Sequence, residues 1–323
     1  MDGIGKIGHF LRAEENNFME NVSIIIPTRN RPEALKTVLN CIENLTTKAR
    51  EIIIVNQGED LHDFIEVWKD RLPILWLAQT CTNPSMARNL AIKHSKGEWI
   101  LFLDDDVSFE PDLLEKYLIV FKELRFDACN GSVITPKESI TPIPIPEIES
   151  GFIGLWSQLS SYRTYSGSIK ISGTCSANLL VKKTVLTEIG GFDERFSRME
   201  DVELGIRISQ AGYSLWHDGR PIVKHYHLPF GGSRDNINGW INKHLSAVQP
   251  KHLGAQLLIL KQYYPWNQRL ILIIRIFLFY MKPSRLYLER PSFPIDVLRA
   301  IYQSIKWANA SYNQGAKLAW RRK

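Results

Sequence analysis

Between residues 21 and 103 the chain alternates short apolar runs with stretches of helical spacing, a pattern that few folds can accept. Asn21-Val-Ser-Ile-Ile-Ile-Pro27 is β-branched and ends in proline, as suits a buried strand opening into a loop. Pro32 to Leu45 then has helix-compatible spacing, and Glu51-Ile-Ile-Ile-Val-Asn56 is a second buried strand stopped by Gln57-Gly58. A helix over about 60–70, a strand from Ile74 to Ala78, a helix from Pro84 to His94 and a strand from Trp99 to Leu103 complete the series. Repetition at this pitch predicts βαβ units around a mostly parallel sheet with helices on both faces. Ligands of such sheets bind beyond the carboxyl ends of the strands, which directs attention to Thr28, Arg29, Asn56, Asp104, Asp105 and Asp106.

Further along, Thr135 to Pro146 carries Pro136, Pro142, Pro144 and Pro146 and reads as an exposed loop. A strand from Ser176 to Val181 and a helix from Glu200 to Ala211, stopped by Gly212, follow. With 323 residues, 44% of them hydrophobic, the chain can bury a large core and is neither disordered nor collagen-like. Its net charge of +6 hides a division. Residues 1–232 hold 25 basic and 31 acidic side chains, whereas 233–323 hold 15 basic and 3 acidic. The expected organisation is an N-terminal extension (1–20), an α/β unit (21–232) and a basic, mainly helical region (233–323). Cys41, Cys81, Cys129 and Cys175 are too far apart in sequence for a zinc knuckle or redox dithiol, so a reducing cytosol is the default. The first residues lack an apolar h-region and carry Glu14 and Glu15, which argues against a secretory signal or transit peptide. The longest apolar run, Leu270 to Met281, is interrupted by Arg275 and falls short of the roughly 20 residues a spanning helix needs. A cytoplasmic location, at most peripheral to the inner face of the membrane, is the expectation.

Three successive acids after Trp99-Ile-Leu-Phe-Leu103 repel one another unless a cation joins them. Alternation along an extended chain puts Asp104 and Asp106 on one side and Asp105 on the other. Hard carboxylate oxygens suit Mg²⁺ or Mn²⁺, with a diphosphate supplying further ligands; the bland alternative is a solvated turn before a helix starting near Pro111 or Asp112. A second constellation is Gly190-Gly191-Phe192-Asp193-Glu194 followed by Met199-Glu200-Asp201-Val202-Glu203 and Arg207. Glu200 and Asp201 stand at an expected helix N-terminus, where the dipole stabilises carboxylates and capping alone would account for one of them. Glu203 either faces solvent or pairs with Arg207 at i,i+4. Val223-Lys-His225-Tyr-His227 adds two imidazoles on one side of a strand, and imidazole beside carboxylates is a common ligand set. Trp156, Trp216 and Trp240 could offer faces to a sugar ring, although such residues are more often core.

In this order, Val22 to Asn30, Glu51 to Asn56, Ala87-Arg-Asn89, Lys96 to Asp106, Gly190 to Glu194, Glu200-Asp201 and His225 resemble the family 2 glycosyltransferases of GT-A fold, over about residues 21–230. The resemblance implies a GT-A nucleotide-diphospho-sugar transferase domain at 21–232 with a C-terminal helical extension. It implies that Pro27, Thr28 and Arg29 wrap the nucleoside, that Asn56 stands where an acid usually reads the base, and that Arg88 lies near the donor diphosphate. An amide can accept from a pyrimidine N3–H and donate to O4, which favours a UDP- or dTDP-sugar. Asp104 is implied at the ribose or in the metal shell, Asp105 at the donor, and Asp106 as a direct ligand of Mn²⁺ or Mg²⁺. His225 completes that shell, with His227 the alternative one strand alternation away. Asp201 matches the catalytic base of an inverting transfer to a hydroxyl of a glycan or lipid-linked acceptor, and Glu200 orients the acceptor or the base.

In the basic part, Leu270 to Met281 is flanked by Tyr263, Tyr264, Trp266, Arg269, Lys282 and Arg285, and Trp320-Arg-Arg-Lys323 follows at the end. Such flanks suit docking on an anionic membrane surface, and burial of the run against the catalytic unit or a second subunit is equally compatible. No nucleic-acid module is present, so nucleic acid is not an expected partner. Two other functions remain open from sequence. A nucleotidyltransferase of related fold would need a glycine-rich phosphate loop after the first strand, and Pro27-Thr-Arg-Asn-Arg-Pro32 has no glycine. A non-catalytic, membrane-associated nucleotide-sugar binding module has only Asn56 in its favour.

Overall fold

A computed structural model describes residues 21–140, 164–228, 250–267, 269 and 293–313. The N-terminal extension, the second half of the proline-rich loop, Trp156, Trp240, the glycine pair at 231–232, Leu270 to Met281 and Trp320 to Lys323 lie outside the described residues. In chain order the elements are β1 (Val22–Thr28), α1 (Pro32–Glu43), β2 (Glu51–Asn56), α2 (His62–Lys69), β3 (Ile74–Ala78), α3 (Pro84–His94), β4 (Trp99–Leu103), β5 (Val107–Phe109) and α4 (Leu113–Leu124). There follow β6 (Ala128–Ile134), β7 (Ser168–Lys170), β8 (Asn178–Lys182), α5 (Lys183–Ile189), α6 (Glu200–Gln210), β9 (Leu215–His225), α7 (Pro250–Tyr263) and α8 (Phe293–Asn313). β8 starts two residues later than the expected Ser176, because the Cys175 and Ser176 N–H groups donate to the side chains of Asn130 and Asp201 instead of to a neighbouring strand.

The nine-stranded sheet runs β3-β2-β1-β4-β8-β6-β9-β5, with β7 also on β9. The first four strands are mutually parallel, β8 runs against both β4 and β6, and β6 returns parallel to β9. Because β1 lies between β2 and β4, the loops leaving all three open at one edge. Alternate residues of β1 face opposite layers. Ile24 and Ile26 join Leu35, Val38, Leu39 and Ile42 of α1, Trp68 of α2 and Tyr117 of α4, whereas Ile25 packs with Ala87, Ala91 and Ile92 of α3 and Leu204 and Ile208 of α6. Burial on both faces explains why these strands read as continuous apolar runs rather than alternating ones.

A third cluster covers the other side of α6. Met199, Val202 and Ile206 meet Ala255, Leu258 and Ile259 of α7 and Ala308 of α8. The described part of the basic region is therefore built onto the α/β unit through α6. Among the described residues no helix is long and apolar enough to cross a membrane.

α6 also touches the chain before β8 closely. A Cβ on Gly205 would lie 2.6 Å from the Thr174 backbone nitrogen and 2.7 Å from Gly173, so only glycine allows this approach. Gly205→Ala should lower stability by about 1–3 kcal/mol, as overpacking against backbone does, read as a reduced urea midpoint. An unchanged midpoint would mean that residues 173–174 move aside without cost.

Candidate active site

Parallel pairing of β1 with β4 brings the loop after Thr28 against the acids after Leu103. Asp105 turns toward β1, where Thr28 Oγ1 donates to it at 2.8 Å and Arg31 Nη1 at 2.9 Å. Burial pushes the Asp105 carboxyl up to about 6 against the pull of Arg31 and Thr28, which still leaves it ionised at neutral pH. Asp105 and Asp106 form a turn between β4 and β5, so Arg31 reaches Asp106 as well, while Asp104 and Asp106 meet at His225. β5 follows the triplet at once and pairs Val107 with His225 of β9, and this register delivers the imidazole to the acids.

His225 Nε2 lies 2.9 Å from Asp106 Oδ1 and 3.8 Å from Asp104 Oδ2. The potential ligand atoms of Asp104, Asp106 and His225 all fall within 4.8 Å of one another. Two hard carboxylates and one imidazole so arranged suit a divalent cation of the Mg²⁺ or Mn²⁺ type. The second oxygen of Asp106 accepts from the Leu228 N–H at 3.0 Å and pairs with Arg31 at 3.2 Å. Burial opposes the Asp106 charge, but the His225 hydrogen bond and charge, Leu228 and Arg31 prevail and hold its pKa at about 2. His227 stands outside the ligand group, with its ring stacked on His225 at a centroid distance of 3.9 Å.

α6 begins at Glu200, immediately after Met199 in a left-handed conformation (φ 60°). Arg88 Nη1 donates to Glu200 at 2.8 Å and Nη2 to Asp104 at 3.1 Å, so one buried guanidinium ties the start of α6 to the acid triplet. Burial works against the Arg88 charge, yet Glu200, Asp104 and Asp201 raise its pKa above the ordinary value. Both terminal nitrogens, expected near a diphosphate, thus have carboxylate partners, and Nε has no hydrogen-bond partner. The Asp201 carboxylate accepts from the Val202 N–H at 2.8 Å and the Ser176 N–H at 3.2 Å. Crowding by protein atoms, then the Glu200 charge, push its pKa up to about 7 against Arg88 and the two N–H donors.

Glu203 does not face solvent. It is fully buried, receives both Arg207 Nε (2.7 Å) and Nη2 (2.6 Å), and accepts the Tyr263 hydroxyl of α7. The Asn56 amide is engaged in its own turn, donating to Glu59 O at 2.7 Å and accepting from the Gly58 N–H at 3.1 Å. Asn30 joins this turn to the loop carrying Pro27, Thr28 and Arg29 by accepting from the Glu59 N–H at 2.8 Å. Trp216 is half-buried against the core, its indole N–H bonded to Ser214 and Lys170 over its ring. Sequence reading missed Arg31, Ser176 and Tyr263. Arg31 stands in the quoted loop between Pro27 and Pro32, but its meaning depends on β1 and β4 being neighbours.

The chain is 24% identical over 225 residues to the pre-mycofactocin glycosyltransferase of Mycobacterium tuberculosis, an alignment covering 68% of this chain and 44% of that protein. It thus spans less than half the length of that relative. The amylovoran biosynthesis glycosyltransferase AmsB of Erwinia amylovora is 25% identical over 223 residues, covering 66% of this chain and 71% of AmsB. In fold, the chain is similar to S. aureus TarS 1-349 in complex with UDP-GlcNAc, with a TM-score of 0.55 at 14% identity over 91% of this chain and 92% of that one. A family model for glycosyl transferase family 2 matches residues 23–190, which run from β1 to the glycine turn after α5. With more than half of its length so matched, the chain belongs to glycosyl transferase family 2.

Proposed function

We propose that the protein is an inverting glycosyltransferase that moves a sugar from a nucleoside diphosphate, of UDP or dTDP type, to a hydroxyl of a glycan or lipid-linked acceptor. The observation that carries this reading is the Arg88 bridge, which sets the Asp104–Asp106–His225 group beside the helix start bearing Asp201. A crystal structure of the fold relative TarS in complex with UDP-GlcNAc supports a nucleotide-sugar donor. We assign 21–232 to the catalytic domain and 233–323 to a helical region built on it.

The loop of Pro27, Thr28 and Arg29 and the turn of Asn56 border the donor's nucleoside, with Asp105 holding the loop in place through Thr28 and Arg31. Asp104, Asp106 and His225 would hold Mn²⁺ or Mg²⁺, which when bound neutralises charge on the departing nucleoside diphosphate. Asp201 is the base. The acceptor oxygen forms its bond to the anomeric carbon opposite the leaving group, the bond from that carbon to the diphosphate oxygen breaks, and the acceptor proton passes to Asp201. A carboxylate with a pKa of about 7 is a better proton acceptor than an ordinary aspartate. Glu200 and Arg88 position the start of α6, and Arg31 supplies the positive charge that lets Asp105 and Asp106 stand side by side in the interior.

Asp201→Asn should lower kcat/KM by about 10²–10⁴-fold while donor affinity, measured by titration calorimetry, stays unchanged; retained turnover would remove Asp201 from the role of base. In the wild type, kcat/KM should rise with pH up to about 7 and then level off, because the base form exists above its pKa, and Asp201→Asn should lack this limb. His225→Ala should abolish Mn²⁺ binding followed by calorimetry with the metal alone, whereas His227→Ala should preserve it. Arg31→Ala leaves buried carboxylates without their cation and should cost about 3–5 kcal/mol in urea unfolding.

A further inference from the structure

α8 buries one face against the rest of the protein through Ser304, Ala308 and Ser311, with Trp307 lying over Gly254 of α7. Leu298, Tyr302 and Ile305 lie off that face, whereas Tyr312 turns back to α7, where Lys261 Nζ lies 4.3 Å from its ring. Leu298 is 49% exposed, Tyr302 67%, Ile305 45% and Tyr312 42%. The spacing of four and three residues aligns Leu298, Tyr302 and Ile305 in one stripe along the helix, roughly a third of a turn from the buried face. Trp266, just past α7, is 75% exposed. Five of the eight large hydrophobic side chains exposed among the described residues thus fall in this one region, where chance would scatter them.

The composition of the stripe and its surroundings selects an occupant. Tyrosine and tryptophan combine an apolar ring with a polar end and favour the headgroup level of a bilayer. Lys306 is exposed on the same helix, and residues 233–323 carry 15 basic side chains against 3 acidic ones. A second copy would carry the same net positive charge, and self-association would have to overcome that repulsion. An anionic lipid surface supplies both the apolar layer and the opposite charge.

We propose that the outer face of α8, through Leu298, Tyr302 and Ile305, docks on an anionic membrane surface. Because α8 is packed against α7, and α7 against α6, this contact fixes the orientation of the whole catalytic unit toward the bilayer. The inference does not depend on the sugar-transfer reading, since its test involves neither donor nor acceptor.

The full chain is sedimented with vesicles of phosphatidylcholine alone and of equimolar phosphatidylcholine and phosphatidylglycerol. Binding is expected to the mixed vesicles only and to weaken as salt is raised. The double substitution Tyr302→Ser and Ile305→Ser should reduce binding by about tenfold or more, from the loss of two inserted apolar side chains, with an unchanged melting temperature. Lys306→Glu should weaken binding to mixed vesicles without altering the melt. Equal vesicle binding by the double variant would overturn the proposal. So would a wild-type dimer that the double variant dissolves, or a drop in its melting temperature with vesicle binding intact, which would show that the stripe meets another copy or another segment of the chain.

Discussion

Three consecutive carboxylates at the end of a buried strand cannot be accommodated without cations, and the surrounding structure is arranged around supplying them. Arg31 from the loop after β1 pairs with Asp105 and Asp106, Arg88 from α3 pairs with Asp104, and His225 of β9 brings an imidazole nitrogen to Asp106. These three contacts hold together the ends of β1, β4 and β9, which lie far apart in sequence. The charge that a bound cation and diphosphate would meet is thereby set in a fixed geometry, with one oxygen of Asp106 held by Leu228 and Arg31 and the other directed at His225.

The same logic continues into α6. Its first turn is bound through Glu200 to Arg88 and through Glu203 to Arg207 and the Tyr263 hydroxyl. Arg195 adds a further tie, pairing with Asp193 while donating to the Ser311 carbonyl of α8 and to Gln262 of α7. The helix bearing the proposed base is thus held between the sheet on one side and the C-terminal helices on the other. The basic region is therefore more than an appended tail, since α7 and α8 hold the helix that bears the proposed base.

Much of this was legible from residues alone. The apolar runs at 22–28, 51–56 and 99–103 are strands because they are buried on both faces, and burial of that kind leaves a continuous apolar signal. Asp104 and Asp106 do come together, although through a turn in which Asp105 and Asp106 share Arg31 and not through strand alternation, and His225 rather than His227 joins the pair because Val107 is in register with it. Other details could not be read. Asn56 looked available to a base, yet its amide closes its own turn. Glu203 pairs with Arg207 at i,i+4, one of the two readings open to it, but its complete burial could not be read, because α7 covers that face with an apolar cluster and one tyrosine.

The amino-acid sequence by itself determined the repeating strand–helix order, the chemical types at the strand ends and the division into acidic and basic parts, because these follow from local periodicity and composition. Only the tertiary structure decided which of those residues meet. Placing β1 between β2 and β4 made Arg31 the partner of Asp105 and Asp106, the return of β9 beside β5 brought in His225, and the packing of α7 on α6 buried Glu203. The reason is physical: strand order and helix docking are set by how distant apolar faces and unpaired charges find one another, and no local stretch of sequence contains that pairing.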